Sequence, residues 1–162
     1  IFLVFVLIAS LTAEAKVTLP AIFSDNMVLQ QNTQVNVWGK AAPGEKVTVK
    51  ASWLDKAVTA KAAANGKWTV KLKTPKATTN QSVTVSGENE ITINNVLIGE
   101  VWLCTGQSNM EFPVSRHPDV KWNTGMLNEA EELKDADYPE IRLFHVKHQL
   151  AHEGELDDCE GE

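Results

Sequence analysis

Between Val17 and Ile98, apolar and polar residues alternate in short runs with the period of a β-strand. Val35 and Val37 alternate with Gln34, Asn36 and Trp38. Val47, Val49, Ala51 and Trp53 share one side of a second run, with Lys46, Thr48, Lys50 and Ser52 on the other. Trp68, Val70 and Leu72 do the same against Lys67, Thr69, Lys71 and Lys73. Successive strand side chains point to opposite faces, so each run implies one buried face. Ala41-Ala42-Pro43-Gly44 reads as a turn. Asn65-Gly66 reads as a type I′ hairpin, because both residues tolerate positive φ. Two more short strands, around Val83–Val85 and Ile91–Ile93, are parted by Gly87. Short strands at regular spacing predict a β-sandwich over residues 16–98.

The pattern changes at Gly99. Val101 to Cys104 is a continuous apolar run, the pattern of a central parallel strand covered on both faces. Thr105-Gly106 ends it, and Phe112 to Pro118 reads as a loop. Asn123 to Asp137 predicts a short acidic helix with Met126, Leu127, Ala130 and Leu133 on its apolar side. Tyr138-Pro139 stops it, and Ile141 to Val146 reads as the next strand. Strand, loop, helix, strand is the opening of a parallel α/β unit. The expected fold is therefore mixed: a β-sandwich over 16–98, then the start of a three-layer α/β/α domain over 99–162. The tail from Glu153 to Glu162 has six acids in ten residues and reads as solvated, or as a site loop.

Residues 1–15 stand apart. Ile1 to Ile8 is unbroken apolar sequence, Ala9 to Leu11 continue it, and Ala13-Glu14-Ala15 offers small residues at a cleavage site. This predicts an incomplete secretory signal, with Ala15 the last residue removed. A membrane-spanning helix needs roughly 20 apolar residues, so no membrane association is expected after removal. The reading is an exported protein, periplasmic, extracellular or lumenal.

Charge changes the picture modestly. Residues 16–98 carry ten lysines against five acids, whereas residues 99–162 carry five basic residues against fifteen acids. The lysines occupy the polar side of alternating strands, a solvated face that also discourages edge pairing. No arginine cluster or aromatic ladder accompanies them, so no nucleic-acid partner is expected. Trp38, Trp53 and Trp68 could serve a sugar, but indoles at strand period are read as packing. The two cysteines, Cys104 and Cys159, could form one bridge in an oxidising compartment. Cys104 instead reads as a small buried residue of its strand, and no bridge is expected. No His/Cys group has zinc spacing and no glycine-rich phosphate loop is present, so no cofactor and no metal are expected.

The candidate chemistry lies in Gly99-Glu100-Val101-Trp102-Leu103-Cys104-Thr105-Gly106-Gln107-Ser108-Asn109-Met110-Glu111. A strand that ends in a small turn can hand Ser108 to a loop at a sheet edge. Gly106 leaves room beside it. A serine here could also merely cap a helix. The motif is not the full Gly-x-Ser-x-Gly elbow, because Met110 stands where the second glycine would be.

This thirteen-residue block resembles the first signature of the sialate O-acetylesterase family, a carbohydrate-esterase branch of the SGNH (GDSL-like) hydrolases, with Gln107 where relatives often carry aspartate. Phe23-Ser24-Asp25-Asn26-Met27-Val28-Leu29-Gln30 and Val37-Trp38-Gly39 are similar to the same family's amino-terminal region. The resemblance runs from about Val17 to about Val146. It implies an SGNH-type hydrolase domain, with Ser108 as nucleophile and its backbone N–H as an oxyanion donor. Gly106, Gln107 and Asn109 would support or contact the substrate, an acetylated sialic acid or other acetylated glycan. Alternatives are an acetylesterase for another glycan such as xylan, and a non-catalytic carbohydrate-binding sandwich.

A serine hydroxyl needs a base, and the base needs a third group to orient it. His117, His145, His148 and His152 are present, none in the Asp-x-x-His sequence where the resembling family carries its acid and base. Each reads as a surface or packing histidine. The chain is accordingly expected to be an amino-terminal part of a longer enzyme and inactive by itself.

Overall fold

The computed structural model describes residues 16–116, 119, 125–150, 152, 154–156 and 158–161. The expected signal segment, His117 and the first residues of the expected helix lie outside them. Seven strands are present among the described residues: β1 (Val28–Gln30), β2 (Gln34–Lys40), β3 (Lys46–Ala51), β4 (Val58–Lys61), β5 (Lys67–Lys73), β6 (Thr78–Ser86) and β7 (Glu90–Gly99). They form a five-stranded sheet in the order β1-β7-β6-β3-β4 and a two-stranded sheet, β2-β5. All named pairings are antiparallel except β1 with β7, which is parallel.

The predicted alternation is what buries the core. Along β5, Trp68, Val70 and Leu72 are buried while Lys67, Thr69, Lys71 and Lys73 are exposed. Val47, Val49 and Ala51 of β3 face them from the other sheet, joined by Val83, Val85 and Ile93, in one cluster with Val37. Thr74 sits at the seam between sheets, its hydroxyl donating to the Gln30 carbonyl at 2.7 Å and accepting from the Thr33 N–H at 3.1 Å. Gly39 of β2 lies under the Thr18 carbonyl and the Trp68 ring, where a side chain would collide with both.

The alternation along β7 is interrupted by a bulge. On this strand Ile93 and Val96 are three positions apart, while their partners on β6, Val83 and Gln81, are two apart. Asn94-Asn95 therefore forms a β-bulge, and Asn95 lies in the left-handed region at φ 54°. A bulge shifts the side-chain phase by one. Ile91 and Ile93 face the core before it, and Val96 and Ile98 after it.

Several expectations need correction. Asn65-Gly66 does not close a hairpin of paired strands, because β4 pairs with β3 and β5 with β2. It turns the chain from one sheet to the other, and of the two residues only Gly66 has positive φ, 76°. Trp53 falls beyond the end of β3 and is half-buried, its Nε1–H donating to the Lys73 carbonyl at 2.9 Å. Trp38 keeps 39% of its surface exposed, because it stands on the polar side of β2, with Phe23 edge-on at 4.6 Å.

The expected α/β layers are not assembled here. Val101–Cys104 and Ile141–His145 are unpaired, and the described part of the expected helix is one short helix, α1 (Glu129–Asp135), with no buried residue. A central strand needs neighbours on both edges and cover on both faces, and the described residues supply neither. Cys104 is accordingly exposed rather than buried, and both cysteines are free thiols. The acidic tail is not simply solvated. Val146 bridges to Gly161, the Lys147 N–H donates to the Glu160 carbonyl at 2.9 Å, and Asp158 accepts from the Ala21 N–H at 3.2 Å.

Candidate functional site

The site segment begins where β7 leaves the sheet. At that point Gln30 and Gln31, at the end of β1, donate from their side-chain amides to the Glu100 carboxylate at 2.9 and 2.7 Å. Gln30 also accepts the Val101 N–H at 2.8 Å. These amide bonds, that from Gln30 first and that from Gln31 second, hold the Glu100 carboxyl below the usual carboxylate range. Beyond this clamp Val101 to Gly106 runs unpaired and exposed, with Trp102 and Leu103 at 84% and 89% of their full accessibility.

Ser108 then opens a short 3-10 turn, Ser108–Glu111. Gln107 takes the N-cap position, with extended backbone angles (φ −114°, ψ −151°), and no side chain caps the turn. The Met110 N–H donates to the Gln107 carbonyl at 2.9 Å, and the Phe112 N–H to the Asn109 carbonyl at 3.4 Å. Ser108 is thus inside the turn rather than capping it. Its hydroxyl has no hydrogen-bond partner among the described residues. Gly106 has a local reason to be glycine: a Cβ there would lie 2.9 Å from Met110 Cγ. Its small size accommodates Met110 as well as leaving space beside the serine. Gly106, Gln107, Ser108 and Asn109 are all exposed and contiguous.

A nucleophile without a base does not complete an esterase site. His145, His148 and His152 are exposed, and none hydrogen-bonds Ser108. Among the described residues no group of three or more His, Cys, Asp or Glu side chains could hold a metal ion. A hollow of about 400 Å³ lies elsewhere, between Ile22 and Trp38 on one side and Val146, Leu156 and Asp158 on the other. It includes none of the Gly106–Asn109 residues.

Reading the sequence missed the residues that tie this segment to the sheets. Arg142, in the returning strand-like stretch, donates from Nη1 to the backbone carbonyls of Asn26, at 2.9 Å, and Asn95, and from Nη2 to Asn95 Oδ1 at 3.1 Å. The signal for this was present. Asn94-Asn95 interrupts the alternation between Ile93 and Val96, and adjacent asparagines in a strand mark a bulge or a left-handed residue.

No family model matches the chain. Among curated proteins it is 32% identical to the sialate O-acetylesterase of Mus musculus over 150 residues, covering 85% of this chain and 26% of that protein. It is 31% identical to the sialate O-acetylesterase of Rattus norvegicus over 153 residues, covering 87% of this chain and again 26% of the relative. The chain thus spans about a quarter of the length of these relatives. Among solved structures it resembles a carbohydrate acetylesterase from Xanthomonas citri with a TM-score of 0.58 and 36% identity, over 64% of this chain and 24% of that one. Sequence block, strand content and relatives agree: over this stretch the chain belongs to the sialate O-acetylesterase family.

Proposed function

We propose that this chain carries the nucleophile-bearing part of a secreted carbohydrate O-acetylesterase. Residues 16–98 are its β-sandwich, and residues 99–162 begin an SGNH-type α/β/α hydrolase domain. Ser108 attacks the acetyl carbonyl, releasing the sugar hydroxyl and leaving an acetyl-enzyme that water then hydrolyses. The Ser108 backbone N–H donates to the oxyanion, while Gln107 and Asn109 flank the bound ester and Gly106 keeps the approach open. The observation that carries this reading is the exposed Gly106-Gln107-Ser108-Asn109 turn, in a chain aligned with proteins named sialate O-acetylesterase. Sialic acids bearing O-acetyl groups are the substrate this favours.

The apolar run Val101–Leu103, with Leu127, Ile141 and Leu143, is exposed in the described residues. In this reading those side chains pack against the sheet and helices of the complete hydrolase domain, which also bring the base and its orienting acid to Ser108. A fluorophosphonate probe on the complete enzyme tests the mechanism: it should label Ser108 covalently. Labelling elsewhere, with acetyl release intact in Ser108→Ala, would overturn it.

A second substrate reading has its own support, since the structural relative from Xanthomonas citri is described only as a carbohydrate acetylesterase. Side-by-side acetate release from 9-O-acetylated sialic acid and from acetylated xylan separates the two. A larger kcat/KM on xylan would move the assignment to plant-type glycans and leave the serine mechanism standing.

A further inference from the structure

We propose that the parallel β1–β7 edge is a positioning frame for the Ser108 segment, held by Gln30 and Gln31 where the chain leaves the sheet and by Arg142 where it returns. The inference rests on Ser108 being the nucleophile only for its catalytic consequence. The frame itself stands on geometry.

At the exit, the Glu100 carboxylate is gripped by two amides from adjacent residues, and the next N–H, that of Val101, is bound back to Gln30. Gln31 is itself fixed, its Oε1 accepting the Ala77 N–H at 2.9 Å. At the return, one guanidinium meets two backbone carbonyls and one side-chain oxygen. The two asparagines that supply those oxygens both adopt left-handed backbone, Asn26 at φ 71° and Asn95 at φ 54°. Asparagine adopts that conformation more readily than other L-residues, and the surroundings here hold both in it. Here the surroundings are visible. Asn95 Nδ2 donates to Asn26 Oδ1 at 2.8 Å, the Asn26 N–H to the Asn94 carbonyl at 3.0 Å, and the Asn94 N–H to Asp25 Oδ1 at 2.6 Å. The bulge thus turns a sheet edge into a preformed acceptor for a planar, multi-donor cation, which lysine cannot replace.

Both anchors belong to one rigid unit, because Val28, Leu29 and Gln30 pair in register with Leu97, Ile98 and Gly99. Every described residue from Glu100 to Arg116 is exposed where its burial is defined, so the anchors, rather than core packing, restrain that stretch. Tying both ends of a segment to one frame lowers its conformational freedom, by an amount that grows slowly with its length. Displacement of a catalytic group by about 1 Å can lower a rate roughly 100-fold. Arg142, Gln30 and Gln31 are therefore positioning residues, not catalytic ones.

Hydrogen exchange on the 162-residue chain reads the frame directly. Arg142→Ala should speed exchange across 100–116 and 138–146 by tenfold or more and leave β3, β5 and β6 unchanged. Millimolar guanidinium should restore protection, ammonium should not, and Arg142→Lys should rescue little. In the complete enzyme the same variant should lose tenfold or more in kcat with KM within twofold, and guanidinium should recover part of it. Asn95→Gly, which keeps the left-handed backbone and the carbonyl but loses Oδ1, should fall between. Unchanged exchange in Arg142→Ala would overturn the proposal, as would a loss of protection shared by all strands and not relieved by guanidinium. If exchange responds as stated but the parent enzyme releases no acetate, the nucleophile reading fails and the frame remains.

Discussion

Residues 16–99 and residues 100–161 are similar in apolar character but opposite in how they are satisfied. Every buried apolar residue among the described ones lies between Val17 and Ile98. After Gly99, no described residue whose burial is defined is buried, although Trp102, Leu103, Leu127 and Leu143 are as apolar as anything in the core. The first region presents its apolar residues at period two, so two sheets can close over each other from local strands alone. The second presents a continuous run and a short helix, which need a layer on each side. Self-sufficiency here is a matter of pattern, not of hydrophobic content.

The contrast is broken most severely at the site. In the complete enzyme Ser108→Ala should lower acetyl release by on the order of 10³-fold or more. Its melting temperature should stay close to the parent's, because the change removes one oxygen from an exposed turn and no packing. Activity kept in that variant would move the nucleophile elsewhere and leave the exposed turn without catalytic meaning.

Next comes local stability across the boundary. Amides in β3, β5 and β6 should open only with global unfolding, several kcal/mol above those in 101–116, whose weaker protection depends on the two anchors and not on core packing. Comparable protection on both sides would mean that residues after Gly99 form a packed unit of their own.

Single apolar truncations sharpen the same line. Leu72→Ala removes a fully buried side chain and should cost about 3 kcal/mol in urea unfolding. Leu103→Ala, at an exposed position, should stay within about 0.5 kcal/mol. A large loss at Leu103 would place it in a core.

The smallest effect is on the clamp that joins the regions. The Gln30 and Gln31 amides favour the ionised Glu100 carboxyl and lower its folded-state pKa. Its contribution is therefore complete above the unfolded-state value and is lost as pH falls through the lower, folded one. Protection of the Val101 amide should survive through the ordinary carboxylate range and fade only below it. Glu100→Gln should flatten that dependence, and a profile indifferent to this substitution would assign the acid sensitivity to another group.

Much was legible in the residues alone. Trp68, Val70 and Leu72 against four polar neighbours could only be a half-buried strand, and Ser108 stood out through the block around it. Strand period is local, so short-range order carries it. Partner choice is not local. That Asn65-Gly66 crosses between sheets, that β1 runs parallel to β7, and that Arg142 returns to Asn26 and Asn95 depend on residues far apart in the chain. The tertiary structure decided these, because backbone groups left over by a bulge or a strand end bond to whatever the fold brings within reach. It also decided the fate of Val101–Cys104. An apolar run states a demand for cover, and only the surrounding fold determines whether that cover is supplied.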